Sequence, residues 1–253
     1  MRYTHTYRML LILLLIVVLL LLNLLLGSVS IPAQSIWNIL TGTGNEPVSW
    51  QNIVWKSRLP QALTALAAGA GLAVSGLQMQ TVFRNPLAGP SVLGISSGAS
   101  MGVAFVILLS GSLGGVALSR LGVMGEIALS VAAIIGSLSV MALIVYVSQK
   151  VKGNVTLLII GVMIGYVSNA VIGVLKFFSV EEDIRAYVIW GLGSFSRVSG
   201  NQMMLFVTLM AILLPLSFLL IKTLNLMLLG DGYARNLGLN IKRARLLVIV
   251  SAG

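Results

Sequence analysis

Six stretches of this chain are long, apolar and free of Asp, Glu, Lys, Arg and His, and this pattern restricts the fold more than any other feature. They are residues 9–26, 62–82, 92–109, 127–147, 155–175 and 203–221, and a seventh begins near Leu246. A helix needs about 20 apolar residues to cross the hydrocarbon core of a bilayer, and within lipid it satisfies its own backbone hydrogen bonds. The sequence therefore predicts an all-α fold, a polytopic bundle of transmembrane helices.

The composition excludes a soluble protein. Hydrophobic residues make up 58% of the chain and charged residues only 9%, whereas soluble domains carry about 25% charged residues. The net charge of +10 does not indicate a nucleic-acid partner, because the basic residues stand mostly at the ends of the apolar runs. The expected surroundings are a lipid bilayer.

The first apolar run has two interpretations. Arg2 and Arg8 precede it, as basic residues precede the core of a cleaved signal peptide. Its apolar run of 18 residues is longer than is usual for such a peptide, and no small-residue cleavage site follows. A transmembrane helix is the favoured interpretation.

The connecting segments carry charges that predict the orientation. With the N-terminus in the cytoplasm, ten of the 16 basic residues and one acid, Asp231, lie on that side, a balance of +9. The outer segments then hold six basic and five acidic residues, a balance of +1. Because cytoplasmic segments are enriched in Lys and Arg, a cytoplasmic N-terminus is predicted. The ten cytoplasmic basic residues are Arg2, Arg8, Arg84, Lys150, Lys152, Lys222, Arg235, Lys242, Arg243 and Arg245, and the six outer ones are Lys56, Arg58, Arg120, Lys176, Arg185 and Arg197.

Two outer segments are expected to be structured. Residues 31–55 hold Pro32 and three tryptophans, which suits an interfacial loop with a short helix and aromatic anchors. Residues 179–195 open with Ser179 followed by Glu181, Glu182 and Asp183, and acids in a first turn favour a helix through capping and the helix dipole. We expect this helix to lie along the outer surface, with its acids solvated or docking a protein.

Small residues recur at helical spacing in the third and fifth spans. Such pairs allow close approach of helix backbones in lipid, so dense packing of the bundle is one interpretation. The fifth span also holds polar side chains, which are typical of a helix beside a water-filled path. Both interpretations stay open for the fifth span. The pairs are Gly98 with Gly102 and Gly161 with Gly165, and the residues that could line a translocation path are Gly161, Gly165, Ser168 and Asn169.

The absence of ionisable groups within the spans restricts the mechanism. Proton-coupled carriers and intramembrane enzymes need buried acids, His or Arg, and the single histidine, His5, lies in the N-terminal tail. No catalytic residues and no metal ligands are predicted. Any transport would therefore take its energy from another subunit.

Two connecting segments carry recognisable patterns. The first is RNPLAGP at residues 84–90, where Asn85, Pro86 and Pro90 predict a structural turn that ends one helix before the next begins. The second is LGDGYARNLGLN at residues 229–240, which predicts a short amphipathic helix between Gly230 and Gly238. A surface helix of this kind is either inert packing or a segment that fits a groove in a soluble partner.

At these two segments the chain resembles the permease subunits of ATP-binding-cassette (ABC) importers for iron–siderophores, haem and cobalamin, the FecCD/BtuC-like family. The stretch RNPLAGPSVLGISSGAS is similar to the family signature, Arg58-Leu59-Pro60-Gln61 is similar to an outer R-L-P-R element, and LGDGYARNLGLN is similar to the coupling helix. Gln61 stands where the family often has a second arginine. The resemblance extends over nearly the whole chain.

The resemblance implies a role for each matched segment. The helix of residues 230–240 would couple to the ATPase subunit, Arg58 would dock the binding protein, and the fifth span would line the path. The coupling residues are Gly230, Asp231, Ala234, Arg235, Leu237 and Gly238. The family has ten spans, so residues 1–253 are expected to form a single transmembrane permease domain that is truncated after about six and a half spans.

The resemblance also implies the partners and the location. The expected partners are two cytoplasmic ATPase subunits, a periplasmic substrate-binding protein and a second copy of this chain. This chain would bind no cofactor itself, since ATP and Mg²⁺ belong to the partner subunit, and it would lie in the bacterial inner membrane. A secondary transporter or channel of another family is the alternative, and a membrane enzyme is a second one.

Overall fold

The computed structural model of this chain describes residues 2–112, 123–151, 154–195, 198 and 200–253. Within these ranges the regular elements are all helical, as predicted, and no strand is present. Three basic residues used to predict the orientation, Arg120, Lys152 and Arg197, lie outside the described residues. The chain divides into two compact units, Met1–Ala70 with Ser194–Leu213, and Gly71–Gly193 with Leu214–Gly253.

The first unit contains the N-terminal helices. α1 (Arg2–Leu25) is followed by two short helices, α2 (Ala33–Thr41) and α3 (Val48–Ile53), where the sequence predicted one. α3 continues without a break through a π-helical turn (Val54–Arg58) into α4 (Leu59–Phe83). Four buried side chains hold the short helices against this turn: Ile31, Ile36, Ile39 and Val54.

The second unit contains the remaining helices and the larger core. Its elements are the end of α4, a 3-10 turn (Pro90–Leu93), α5 (Ile95–Ser112), α6 (Val123–Lys150), α7 (Asn154–Phe177), α8 (Glu181–Gly191), the end of α9 (Gly200–Ser217), a second 3-10 turn (Phe218–Leu220), α10 (Ile221–Leu228), α11 (Asp231–Asn236) and α12 (Ile241–Ala252). One cluster of buried side chains joins α4, α6, α7, α10 and α12, and another joins α5, α7 and α8.

Five of the described helical segments are long and apolar enough to span a membrane. They are Thr6–Leu25, Val48–Phe83, Met124–Lys150, Val155–Phe177 and Gln202–Leu228, and each contains most of one predicted apolar run. The third predicted span, residues 92–109, is a shorter apolar helix, Ile95–Leu109. It starts late because Pro90 opens a 3-10 turn and Gly94 closes that turn with a φ of +74°.

Glycines let α5 and α6 approach closely, as the spacing of small residues predicted. A Cβ built on Gly98 lies 2.6 Å from the carbonyl oxygen of Gly136, and a Cβ on Gly136 meets the carbonyl of Gly98. A Cβ on Gly102 in turn meets the carbonyl of Ala132. Because these contacts are to backbone, no side-chain rotation relieves them. The two helices therefore pack through a small-residue seam, as is typical of helix pairs in lipid.

α12 begins five residues before the predicted start of the seventh span. Its N-cap is Asn240, whose side-chain oxygen accepts a hydrogen bond of 3.2 Å from the N–H of Arg243. Lys242, Arg243 and Arg245 lie among the first five residues of the helix, so hydropathy alone places the start of the helix beyond them. Capping by Asn240 sets the true start.

Candidate functional site

The predicted helix between Gly230 and Gly238 is present as α11. Gly230 precedes it with a φ of +106° and Gly238 follows it with a φ of +86°, in a region that residues with a Cβ avoid. The N–H of Gly238 donates to the carbonyl of Arg235, and the N–H of Leu239 donates to that of Ala234, both at 2.9 Å. These two bonds form a Schellman cap, which ends the helix at Gly238 as the sequence predicted.

α11 has a buried and an exposed side. Ala234 is completely buried and Leu239 packs against the core of the second unit. Tyr233 is 72% exposed and Leu237 63% exposed, and residues four apart share one face of a helix. An exposed apolar pair on a short loop helix is suited to binding in a groove of another protein. Tyr233 was not among the predicted coupling residues, although its spacing from Leu237 could have identified it.

A cluster of three charged side chains lies at the start of α11. The Arg84 guanidinium contacts one carboxylate oxygen of Asp231 at 2.5 Å, and the Arg245 guanidinium lies 3.7 Å from the other. Arg84 also donates a 3.4 Å hydrogen bond to the carbonyl of Met227, near the end of α10. Arg84 was predicted as a cytoplasmic charge and as the first residue of the RNPLAGP segment, and Arg245 only as a cytoplasmic charge. Neither was predicted to be a site residue.

Arg84 belongs to the predicted turn. Asn85 accepts a hydrogen bond of 3.0 Å from the N–H of Leu87 through its side chain, and its own carbonyl accepts one from Ala88 at 3.0 Å. Pro90 opens the 3-10 turn that follows, and Pro86 lies within the turn between the helices. Arg84 itself has a φ of +50° and is the one non-glycine residue with a positive φ among those that the structure describes. The structural turn predicted from Asn85, Pro86 and Pro90 is therefore observed.

The four residues proposed to line a path do not share one environment. Gly161 is buried, and a Cβ there would lie 2.5 Å from the carbonyl of Val92, so this glycine packs α7 against the first 3-10 turn. Gly165 is half-buried beside Ser97, and Ser168 is buried. Asn169 is exposed. The path remains a prediction for all four, with Asn169 the one that presents a polar side chain on the surface of this chain.

Arg58 is buried within the first unit. Its guanidinium donates to the carbonyls of Leu24 at 2.6 Å and Leu25 at 3.0 Å, and also to that of Val29. These carbonyls lie at and beyond the end of α1, where the helix leaves its last acceptors unsatisfied. Docking of a binding protein by Arg58 remains a prediction, and in this arrangement it requires the side chain to leave these acceptors.

The acidic start of α8 differs in detail from the prediction. Val180 is the N-cap and makes no side-chain cap bond, while the hydroxyl of Ser179 donates back to the carbonyls of Leu175 and Leu108. Glu181 and Glu182 are exposed, but Asp183 is buried and one of its oxygens has no hydrogen-bond partner. Burial raises the pKa of Asp183, and the charge of Glu182 raises it further. No group of three potential metal-ligating residues occurs in the described part of the chain.

A family model fits the chain almost from end to end. Residues 14–253 match the model of the FecCD transport family. This chain belongs to that family. The turn at Arg84, the capped helix α11 and the apolar spans are thus features of a FecCD family member.

Named relatives and a solved structure agree with this assignment. The chain is 35% identical over 229 residues to the hemin transport system permease protein HmuU of Yersinia pestis, a match that covers 90% of this chain and 65% of HmuU. It is 34% identical over 238 residues to the vitamin B12 import system permease protein BtuC of Serratia proteamaculans. That match covers 91% of this chain and 68% of BtuC. The chain also matches a solved structure assigned to the metal-chelate type of ABC transporter, in an inward-facing conformation. The TM-score is 0.75 and the sequence identity 29%, and the match covers 94% of this chain and 70% of the solved one.

Proposed function

We propose that this chain is a membrane-spanning permease subunit of an ABC importer for haem, cobalamin or iron–siderophore substrates. Its location would be the bacterial inner membrane, with a cytoplasmic N-terminus. Support comes from the family, from relatives whose names describe hemin and vitamin B12 import, and from five long apolar helices in the described chain. The chain spans only part of the length of these relatives, so activity, substrate and partners are part of the proposal.

The observation that carries the coupling role is the exposed pair on α11. Tyr233 and Leu237 face away from the core, while Ala234 and Leu239 fasten the helix to it. A helix fixed on one side and apolar on the other can bind a cleft in an ATPase subunit and pass its movement to the spans. In this mechanism the ATPase binds ATP and Mg²⁺, and this chain performs no covalent chemistry.

Alternating access follows from the same arrangement. Closure of two ATPase subunits around ATP would move two copies of α11, one on each permease chain, and favour one of two packings of the spans. The periplasmic binding protein would deliver the substrate from the other side. Arg58 and α8 are the outer elements that the predicted topology offers for this contact.

The experiment is co-purification of the chain with its candidate ATPase partner from membranes. Replacing both exposed residues, Tyr233→Ser with Leu237→Ser, should reduce the ATPase recovered at least tenfold. Phe178→Ser is the matched control, because Phe178 is also an exposed aromatic residue, 73% exposed, but follows α7. Equal recovery of the ATPase with the double variant would overturn the assignment of α11 as the coupling helix.

The substrate is tested separately by uptake. Cells that depend on this importer are supplied with haemin, cyanocobalamin or a ferric siderophore, and the accumulation of each is measured. Uptake of one of the three supports the proposed importer and names its cargo. Uptake of none, with the ATPase assembled and active, would contradict this substrate class.

A further inference from the structure

The carboxylate of Asp231 connects three helices of the second unit. It stands in the first turn of α11, and it contacts Arg84, just beyond the end of α4, and Arg245, in the first half of α12. The positions are far apart in sequence, with Arg84 and Asp231 separated by 147 residues. The cluster therefore exists only because the helix ends meet in the fold.

The backbone of Arg84 has an uncommon conformation that places its side chain in the cluster. A φ of +50° is uncommon for a residue with a long side chain, and such conformations persist where the surrounding structure determines them. Here the conformation ends α4 and brings the guanidinium to both Asp231 and the carbonyl of Met227. Arg84 thus closes the junction between α10 and α11.

Arg245 depends on the same carboxylate. Its side chain is only 13% exposed, and its Nε has no hydrogen-bond partner. Asp231 is the one acidic residue, among those that the structure describes, that lies within ion-pair distance of the Arg245 guanidinium. Burial without compensation is costly for a charged group. Loss of Asp231 would therefore disturb α12 as well as α4.

The exposure of the Arg84–Asp231 pair separates positioning from overall stability. These two side chains are 43% and 41% exposed, and ion pairs at that exposure contribute little to the free energy of folding. The ion pairs do restrict the orientation of α11, because Arg84 and Arg245 contact the two oxygens of the Asp231 carboxylate that this helix carries. The pair is thus suited to keep α11 in register with α4 and α12 during movement.

We propose that Asp231 is a positioning residue that transmits displacement of α11 to the ends of α4 and α12. Contact of Asp231 with the ATPase is not required. The inference rests on the proposed coupling role of α11 and adds the residues through which that role acts. It also gives functions to Arg84 and Arg245, which the coupling surface itself does not include.

The test uses spin labels in the full chain, which has no cysteine of its own. Labels at Leu77→Cys in α4 and Asn236→Cys in α11 lie at exposed positions of the same unit. In lipid nanodiscs the parent should give one narrow distance distribution. Asp231→Asn and Arg84→Gln should each broaden it at least twofold, and Arg243→Gln, an exposed arginine of α12, should leave it unchanged.

Rescue separates an ion pair from a general packing defect. The conservative Asp231→Glu keeps the carboxylate for both arginines, so it should retain at least half of the sharpness that Asp231→Asn loses. In 1 M NaCl, where the screening length falls to about 3 Å, the parent should broaden towards Asp231→Asn. A distribution that stays narrow in Asp231→Asn, or one that Asp231→Glu broadens as much as Asp231→Asn does, would overturn the proposal.

The functional measurement is made on the complex with the ATPase. Asp231→Asn should retain ATPase co-purification but lose at least tenfold of the transport per ATP hydrolysed, measured with the substrate identified by uptake. Failure of the parent to bind an ATPase would contradict the proposed function, and the label distances would still test the link. Parent-like transport by Asp231→Asn with bound ATPase would overturn only the link.

Discussion

The guanidinium of Arg58 donates a 2.6 Å hydrogen bond to the carbonyl oxygen of Leu24, across 34 residues of sequence. Further bonds to Leu25 and Val29 make this side chain a cap on the end of α1. Space for it depends on Gly27, since a Cβ there would lie 2.8 Å from Nη2 of Arg58. Residues 6–23 of α1 are otherwise almost entirely exposed in this chain, so the cap is one of few fixed points of the helix.

Arg58→Met should therefore destabilise the folded chain by about 3 kcal/mol, because three carbonyls lose a charged donor. The free energy of unfolding in SDS titrations measures this loss. Lys56→Met is the matched control, since Lys56 is exposed two residues earlier. If Arg58 acts only by docking the binding protein, Arg58→Met would leave unfolding unchanged and weaken that binding alone.

The seam between α5 and α6 predicts opposite effects for two glycine substitutions. Gly136→Ala places a methyl group against the carbonyl of Gly98 and 3.1 Å from the Cα of Gly102, so it should cost about 2 kcal/mol. Gly173→Ala in α7 meets nothing within 4 Å and should be neutral or stabilising by up to about 1 kcal/mol. The same SDS titration compares them, and equal effects would contradict this packing of α5 on α6.

Asp183 predicts a pH-dependent stability. Its pKa is raised by burial and then by Glu182, so the folded state binds a proton more readily than the unfolded state. The free energy of unfolding therefore falls as the pH rises from the pKa of this carboxyl in the unfolded chain to its raised pKa in the folded chain. Above that pH it is constant. Asp183→Asn should be more stable than the parent at pH 7, and the difference should disappear near pH 4.

The control for this titration is Glu181→Gln, because Glu181 is exposed in the same turn. It should show no such convergence when thermal unfolding is followed from pH 4 to pH 8. An Asp183→Asn variant that is less stable than the parent at pH 7 would show that a partner stabilises the charged form.

Cysteine labelling tests the orientation. The chain contains no cysteine, so Leu237→Cys and Phe178→Cys each introduce a single reactive site at an exposed position. With a cytoplasmic N-terminus, a membrane-impermeant maleimide added to intact spheroplasts should label Phe178→Cys and leave Leu237→Cys unmodified. The reverse pattern would place the N-terminus outside.

The apolar runs predicted the spanning helices because burial in lipid is a local property of about 20 residues. The capped helix α11 was predictable for a similar reason, since Gly230 and Gly238 mark its ends within one short segment. The turn at Asn85 likewise depends on neighbours in sequence. Features that depend only on neighbouring residues could therefore be predicted from the sequence.

The remaining contacts join distant residues, and no local pattern marks them. The acceptors of Arg58 are backbone carbonyls, which every residue has, so its burial has no signature. Gly136 is one of many small residues in α6, and only packing selects it as the partner of Gly98. The Arg84–Asp231–Arg245 cluster requires three helix ends to converge.

The π-helical turn Val54–Arg58 determines how the first unit responds to changes in chain length. The N–H of Leu59 bonds back to the carbonyl of Val54, five residues earlier, so this turn holds one residue more than an α-helical turn. Because the extra residue is taken up within one wide turn, deleting one residue there would leave α-helical spacing and rotate α3 little relative to the start of α4. A second deletion would rotate α3 by about 100° and turn its side chains away from the short helices. In evolution, this segment should accept the loss of one residue far more readily than the loss of two.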